Sequence, residues 1–311
     1  MSEDPREGRA QAPLLLAEEV ADALAERRPV VALESTLISH GLPHGRNLEV
    51  AREIEATVRA AGAVPASIAL LDGRVRVGLD PAALERVADG AEVVKASIRD
   101  VPLVLATGRA GATTVASTAW LAHRVGIEVF ATGGLGGVHR DAERSWDESA
   151  DLPGLAVTPI TVVCAGVKSI LDVPATLERL ETLSVSLVGY RTASFPGFYV
   201  RDSGLPVPWT LDSVEQIAAV MATRRALQAR SALVVANPIP EASQLDRAWH
   251  DEILTAGLAE LGARGVSGKD VTPFLLAWFH EQTGGASLAA NIDLVLSNAA
   301  LAARIAVAAA G

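Results

Sequence analysis

Short apolar runs alternate with amphipathic stretches along most of the chain. Glycine, proline and polar residues bound the apolar runs, which predict strands over 30–34, 66–71, 75–77, 93–97, 128–131, 160–164, 185–188 and 232–236. Between them, helical spacing of apolar residues predicts helices over 14–27, 47–61, 81–88, 114–125, 168–183, 211–228, 246–263, 272–281 and 287–309. We therefore predict an α/β fold: a single α/β/α layered domain with a central, mostly parallel sheet and a helical C-terminal layer.

Local residue signals add detail to this outline. Asp72 and Gly73 stand between two predicted strands, which favours a tight hairpin, and Asn47 is placed to cap the helix that follows it. We identify no internal repeat or linker. We therefore expect a disordered tail over 1–12 and one domain over 13–311.

Composition limits the class of protein. The chain has 311 residues and a formal net charge of −10, with 37 acidic against 27 basic residues, which argues against a nucleic-acid partner. A single cysteine, Cys164, excludes an internal disulfide and fits a reducing compartment. We find neither a signal peptide nor the run of about 18 apolar residues that a membrane span needs. We expect a cytoplasmic protein with no membrane partner.

Lysine is rare, because the 27 basic residues include only Lys95, Lys168 and Lys269. Arginine stays protonated, whereas a lysine amine can act as a nucleophile once burial or a neighbour favours its neutral form. Lys95 and Lys168 each follow an apolar run. Either they extend from strand ends into solvent, or they are kept as lysines for chemistry. Lys269 lies in a polar Ser-Gly-Lys-Asp stretch, where we expect a solvated turn.

Four polar segments follow predicted strands, at 34–36, 95–97, 133–151 and 164–168. Because ligands bind outside the carboxyl ends of parallel strands, we expect these segments to line one pocket. Glu34 in such a place is either a general acid with a raised pKa or an ordinary capping or ion-paired carboxylate.

The segment 133–151 is rich in glycine and then in acid. His139 stands where the last glycine of a dinucleotide fingerprint would fall, so that motif fails. The glycines either present backbone N–H groups to an anion, aided by His139 and Arg140, or supply positive φ angles. The acidic residues are either a solvated surface or ligands for a hard divalent cation. They are Asp141, Glu143, Asp147, Glu148 and Asp151.

Other familiar chemistries find little support. One cysteine and six scattered histidines argue against zinc, and no Gly-x-Ser-x-Gly elbow is present. Cys164 lies in a valine-rich strand and is expected in the core. Asn291 inside a helix indicates a ligand or a buried partner, and Asn237 before Pro-Ile-Pro indicates a rigid turn.

Several segments together carry a family resemblance. They are 32–36 (ALEST), 39–41 (SHG), 62–66 (GAVPA), 71–73 (LDG), 131–140 (ATGGLGGVHR), 163–172 (VCAGVKSILD), 195–199 (FPGFY), 237–240 (NPIP) and 287–292 (SLAANI). In this order they resemble the motifs of pseudouridine-5′-phosphate glycosidases, a family also called indigoidine synthase A-like. The resemblance covers about residues 30–305 and departs mildly at Trp146 and Val167.

The resemblance implies reversible cleavage of the C–C glycosidic bond of pseudouridine 5′-phosphate to uracil and ribose 5-phosphate. It implies that Lys168 is the nucleophile that forms an imine with ribose C1′, and that Glu34 donates a proton to the ring oxygen. It further implies substrate contacts at Lys95, Thr114, Val115, His139, Ser149, Ala150, Asp151 and Asn291, and a metal ligand at Asp147. A divalent cation, commonly manganese, and a homotrimer complete the expectation.

Two other functions remain open from the residues alone. An N-ribosyl hydrolase or a sugar kinase would act on a related phosphoribosyl compound. A sugar-phosphate-binding accessory protein without catalysis is the third hypothesis.

Overall fold

The computed structural model describes residues 14–266 and 271–311. The predicted tail over 1–12 and the predicted turn at Lys269 lie outside the described residues.

The described residues form one mixed sheet of eleven strands with helices on both sides. The strands are β1 (Leu14–Leu16), β2 (Val30–Glu34), β3 (Val64–Leu71), β4 (Arg74–Val77), β5 (Val94–Ala96), β6 (Gly111–Thr113), β7 (Val129–Ala131), β8 (Thr161–Cys164), β9 (Ser186–Tyr190), β10 (Thr210–Leu211) and β11 (Leu233–Ala236). The helices are α1 (Glu18–Ala25), α2 (Asn47–Ala60), α3 (Pro81–Asp89), α4 (Val101–Thr107), α5 (Val115–Arg124), α6 (Ala142–Ser145), α7 (Asp151–Ala156), α8 (Val173–Thr182), α9 (Val214–Ala226), α10 (Arg247–Ala263), α11 (Val271–Gln282) and α12 (Ala286–Ala310). A π-helical turn (Leu37–Gly41) and a 3₁₀ turn (Glu241–Ser243) complete the elements.

The centre of the sheet is parallel, in the order β3-β2-β7-β8-β11-β9-β10. Four of these strands, β3, β7, β8 and β11, are buried at every residue and are therefore covered on both faces. Double burial explains why they read as continuous apolar runs rather than as alternating patterns. The predicted α/β/α architecture is confirmed. The predicted hairpin at Asp72 and Gly73 is also confirmed, because β4 returns antiparallel to β3.

The sheet changes direction beside the end of β2. Strand β3 continues past Glu34, and β6 pairs with it antiparallel in the space that β2 leaves. Ser35 joins the two arrangements: its hydroxyl donates to the Ile68 carbonyl at 2.6 Å and accepts from the Thr113 N–H at 2.8 Å. Because β5 pairs parallel with β6, this switch brings Lys95 toward the end of β2.

Helices α2, α9 and α12 form one layer, with α12 packed over β2, β7 and β8. Helix α5 packs on β2, β3 and β7 and is joined by α7. Helix α12 is long and apolar enough to cross a membrane, and it is the only such helix in the described part of the chain. The expectation that no segment is apolar enough for a membrane span therefore does not hold. Half of its apolar window is buried against the sheet and neighbouring helices, as in the core helix of a globular protein.

The predicted starts of α1 and α8 and the predicted cap of α2 were wrong. Residues 14–16 form edge strand β1 beside β4, so the first helix begins at Glu18 rather than at residue 14. Helix α8 begins at Val173 because the Asp172 side chain accepts from the Ala175 N–H, which leaves 168–172 as a turn. Asn47 does not cap α2: its side-chain amide donates to two carbonyls, of Ile38 and Ala88.

Candidate active site

Two adjoining cavities of about 420 Å³ and 460 Å³ open at the carboxyl ends of the central strands. Their shared walls contain Glu34, Thr36, Lys95, Lys168 and Thr272. The first cavity also reaches Asn291, and the second is lined by Thr114, Val115, His139, Asp147, Ser149, Ala150 and Asp151. The four polar segments therefore meet at one site, and every predicted site residue lies on its walls. The chemical roles of these residues remain predictions.

A cavity of similar size, about 420 Å³, lies at the opposite edge of the sheet. None of the predicted site residues lines it. Two of its charged side chains, Arg225 and Glu128, pair with each other at 2.7 Å. We therefore place the candidate active site at the carboxyl edge.

Glu34 ends β2 at the boundary of the two cavities. The hydroxyl of Thr132, the residue after β7, donates a hydrogen bond to Glu34 Oε1. Burial raises the pKa of Glu34, and the Lys168 ammonium and the Thr132 hydrogen bond oppose that rise. A raised pKa keeps the carboxyl protonated nearer to neutral pH, which favours the general-acid interpretation.

Lys95 and Lys168 reach the same cavities from opposite sides of Glu34 in the sheet order. Lys95 lies in β5, and Lys168 lies in the turn after β8, where its backbone N–H donates to the Leu135 carbonyl at 3.1 Å. Desolvation by the surrounding protein lowers the pKa of Lys95, and the Lys168 ammonium lowers it further, although cavity solvent still reaches the Lys95 side chain. The wall that the two cavities share thus combines two amines with one carboxyl group, that of Glu34.

The glycine-rich loop is shaped by close packing. A Cβ atom on Gly134 would lie 2.6 Å from Phe198 Cδ2, and one on Gly137 would lie 2.3 Å from the Thr176 hydroxyl. None of the glycines at 133, 134, 136 and 137 has a positive φ, so that expectation was wrong. Anion binding by the loop backbone stays a prediction, although four of the loop N–H groups already donate to protein acceptors. These are the N–H groups of Leu135, Gly136, Val138 and His139.

Asp151 connects this loop to helix α5. Its carboxylate accepts from the Ala116 N–H at 3.0 Å and from the Gly136 N–H at 2.9 Å, and the residue is 6% exposed. A buried carboxylate with two backbone donors is well satisfied. Asp151 therefore holds the cavity wall together, and it is the member of the acidic segment least available to a metal.

Asp147 is the acidic residue best placed for a cation. It lines the cavity, and its Oδ2 lies 3.7 Å from His139 Nδ1. Glu148 pairs instead with Arg179 at 2.9 Å, and burial lowers the pKa of His139, which favours the neutral ring. Among the described residues, no three His, Cys, Asp or Glu side chains cluster as metal ligands. A cation here would therefore depend on Asp147 and water, a ligand set that suits a hard ion.

Two polar atoms of the site are buried without a hydrogen-bond partner among the described residues. They are Asn291 Oδ1, on α12, and the Ser97 hydroxyl, just after β5. Asn291 lines the first cavity beside Phe198 and Leu276, whereas Ser97 lines the second beside Lys95. Because buried polar groups are nearly always paired, both atoms are available to a bound molecule.

Sequence reasoning missed several residues of the site. Thr132 stands in the ATGG segment, where a hydroxyl directly after a strand was the available signal. Phe198 lies in the FPGFY segment, with no local sign that it faces a cavity. Thr272, Pro273 and Leu276 come from α11, which only the tertiary fold brings to the site.

Comparison with known proteins shows which family this chain belongs to. Residues 19–308 match the family described as indigoidine synthase A like protein, and the chain belongs to that family. A pseudouridine-5′-phosphate glycosidase of Salinispora tropica is 61% identical over 293 residues, which cover 94% of this chain and 90% of the relative. A protein of the same name from Streptomyces griseus is 60% identical, over 95% of this chain and 92% of the relative.

Solved structures show the same architecture. The crystal structure of a prealnumycin C-glycosynthase in complex with ribulose 5-phosphate matches with a TM-score of 0.89 and 40% identity, covering 96% of this chain and 97% of that one. An indigoidine synthase A-like protein from Thermotoga maritima matches with a TM-score of 0.86 and 36% identity, covering 96% of this chain and 98% of that one.

Proposed function

We propose that this chain is an enzyme that reversibly cleaves the C–C glycosidic bond of pseudouridine 5′-phosphate, giving uracil and ribose 5-phosphate. The observation that carries the proposal is the meeting of Glu34, Lys95 and Lys168 on the shared wall of the two cavities. Relatives named pseudouridine-5′-phosphate glycosidase, one of them 61% identical, support it.

The two cavities divide the substrate between them. The second cavity has a polar wall whose cations, Lys95, Arg99 and Lys168, suit a ribose phosphate, with His139 and Ser97 as further contacts and the backbone of Val115 beside them. The first cavity has apolar walls, including Phe198 and Leu276, that suit the flat face of a base. Asn291 Oδ1 has no hydrogen-bond partner among the described residues, and it would accept a hydrogen bond from a uracil N–H.

The first chemical step opens the sugar. A C–C glycoside has no heteroatom leaving group, so the paired-carboxylate route of ordinary glycosidases does not suit it. Glu34 instead gives its proton to the ring oxygen as the C1′–O4′ bond breaks. The neutral amine of Lys168 adds at C1′ and gives one N–H proton back to the Glu34 carboxylate, so that C1′ then carries a neutral secondary amine and the base.

The second step breaks the C1′–C5 bond. Glu34 gives that proton to C5 of the uracil ring, and the electrons of the C1′–C5 bond return to the ring and restore its C5–C6 double bond. The nitrogen lone pair of Lys168 stabilises C1′ as an iminium ion, which water hydrolyses to ribose 5-phosphate and the free amine. A guanidinium cannot perform this step, since it has no available lone pair at neutral pH.

A divalent cation, commonly manganese, is proposed at Asp147. The ion would order water and substrate near the second cavity, with His139 3.7 Å from the same carboxylate. Its single carboxylate ligand predicts weak, readily reversible binding. Replacement of Asp147 by Asn should raise the manganese concentration needed for activity while the fold stays intact.

A cytoplasmic homotrimer is the proposed cellular form. Support comes from the family resemblance and from the composition, including the unpaired, buried Cys164. Sedimentation equilibrium tests the oligomeric state.

The decisive experiment measures uracil release from pseudouridine 5′-phosphate with and without manganese. In parallel, borohydride with ribose 5-phosphate should trap a covalent adduct that peptide mapping assigns to Lys168. Both Lys168→Ala and Lys168→Arg should lose the adduct, and the Arg variant controls for charge.

Other outcomes point to the other functions. Turnover retained by Lys168→Ala would indicate an N-ribosyl hydrolase, and dependence on ATP would indicate a kinase. Tight binding of ribose 5-phosphate without uracil release would indicate an accessory protein.

A further inference from the structure

A chain of buried hydrogen bonds runs from helix α12 to the Glu34 carboxyl. The side-chain amide of Asn298 donates to the Thr132 carbonyl at 2.8 Å and lies 3.3 Å from the Gly133 carbonyl. The Thr132 hydroxyl then donates to Glu34 Oε1. Asn298 and Thr132 are 0% and 1% exposed, so no solvent substitutes for these contacts.

The far end of the chain fixes the Asn298 amide itself. Asn237 Nδ2 donates to Asn298 Oδ1 at 2.9 Å and also lies 3.1 Å from the Ser297 hydroxyl. Asn237 follows β11, and its own backbone N–H donates to the Cys164 carbonyl at 2.8 Å. The predicted rigid turn at Asn237 therefore also anchors α12 to the ends of β8 and β11.

We propose that Asn298 is a positioning residue for the proton donor: its amide holds the backbone at Thr132 so that the Thr132 hydroxyl aims the Glu34 carboxyl. This inference rests on the proposed function. Among the described residues, Glu34 Oε2 has no hydrogen-bond partner, so the orientation set at Oε1 leaves the other oxygen free for the substrate. Asn291 and Asn298 are seven residues apart on α12, two turns along one face, so one helix carries both a cavity contact and the support behind the acid.

If Asn298 positions Thr132 in this way, its loss should change the pKa of Glu34 in a definite direction. The Thr132 hydrogen bond stabilises the carboxylate and so lowers the pKa of Glu34, while the charges that act on this carboxyl come from Lys168, Asp151 and Lys95. Loss of the Asn298 amide should loosen Thr132 and weaken its bond. The pKa of Glu34 should then rise further, in Asn298→Ala as in Thr132→Val.

Infrared titration of the protonated carboxyl band measures this directly, with the band assigned by its loss in Glu34→Gln. We expect Asn298→Ala and Thr132→Val to shift the titration in the same direction, and the double variant to shift no further than Thr132→Val. Ser297→Ala is the matched control, because it removes a neighbouring partner of Asn237 and leaves the Asn298 amide in place. An unshifted band in Asn298→Ala, beside a shifted one in Thr132→Val, would overturn the inference.

Kinetics add a second readout. If the enzyme releases uracil, Asn298→Ala should lower kcat by about 10- to 100-fold with little change in KM, since a misaimed acid affects the chemical step. The effects of Asn298→Ala and Thr132→Val should be non-additive. If Asn298→Ala does not fold, Asn237→Ala should give a smaller shift of the same sign, and no shift there counts against the inference. A wild-type enzyme without activity would refute the proposed function alone, because the infrared titration needs no turnover.

Discussion

Replacement of Gly136 by Ala is expected to damage both stability and the site. The new Cβ atom would lie 2.2 Å from the Ser149 hydroxyl and 2.6 Å from Asp151 Oδ2. Neither contact can be tolerated at those distances. Either the loop or the segment 149–151 must move, and the Gly136 N–H bond to Asp151, at 2.9 Å, is then strained or lost.

The magnitude follows from two effects. Overpacking of a buried position costs about 1–3 kcal/mol. Loss of a hydrogen bond to a charged group costs about 1.5–3 kcal/mol more. We therefore expect a destabilisation of at least about 2.5 kcal/mol. Because Asp151 also holds the Ala116 N–H at the start of α5, the displacement should spread to the cavity wall and slow uracil release.

Urea unfolding and uracil release, measured on the same preparations, test this prediction. Gly262→Ala is the matched control: Gly262 is an exposed residue of α10, and the methyl group that this change adds would meet no atom within 4 Å. That change should stabilise the helix by up to about 1 kcal/mol. If Gly136→Ala unfolds within about 0.5 kcal/mol of the wild type, the close packing that we describe at Ser149 and Asp151 is wrong.

Three further predictions concern individual side chains. Lys168→Ala should lower uracil release at least about 1,000-fold, measured at saturating substrate, and activity within tenfold of wild type would contradict its role as nucleophile. Glu34→Gln should be more stable than the wild type at mildly alkaline pH. Above the ordinary carboxyl pKa of 4.5, the unfolded wild-type chain has lost the Glu34 proton while the folded chain still holds it. The free energy of unfolding of the wild type therefore falls as the pH rises from 4.5 toward the raised pKa of Glu34. The check is to measure the urea midpoints of the wild type and of Glu34→Gln across that pH range. If the two midpoints change with pH in the same way, the predicted loss of wild-type stability is refuted. Burial raises the pKa of Cys164 to about 12, so iodoacetamide should label it only after unfolding, and rapid labelling of the native protein would contradict its burial.

Much of the sheet could be predicted from the sequence, for a physical reason. The central parallel strands are buried on both faces, so each must be apolar along its length, and this leaves a local signal such as Val162–Cys164. The side-chain cap at Asp172, before Val-Pro, left a similar signal, which the prediction of a helix from residue 168 overlooked. Edge strand β1 gave no such signal, because Leu14–Leu16 fits a helix equally well until β4 is beside it.

Some residues of the candidate site can likewise be predicted from the sequence and others cannot. Glu34 and Lys168 are visible from the sequence because Glu34 ends an apolar strand and Lys168 follows one, and the parallel order of β2, β7 and β8 must bring the ends of these strands together. The pairing of β6 with β3, which carries Lys95 to the same place, could not be predicted, because an antiparallel switch depends on contacts distant in the chain.

By itself, then, the sequence determined the α/β class, the buried strands and the reactive groups at their ends, since these depend on local polarity and spacing. Only the tertiary structure decided which hydroxyl bonds to Glu34, why the loop glycines are needed, and that Asp151 serves the backbone. These are matters of contact between residues far apart in the chain, as with Thr132 and Glu34, and local patterns carry no record of such contacts.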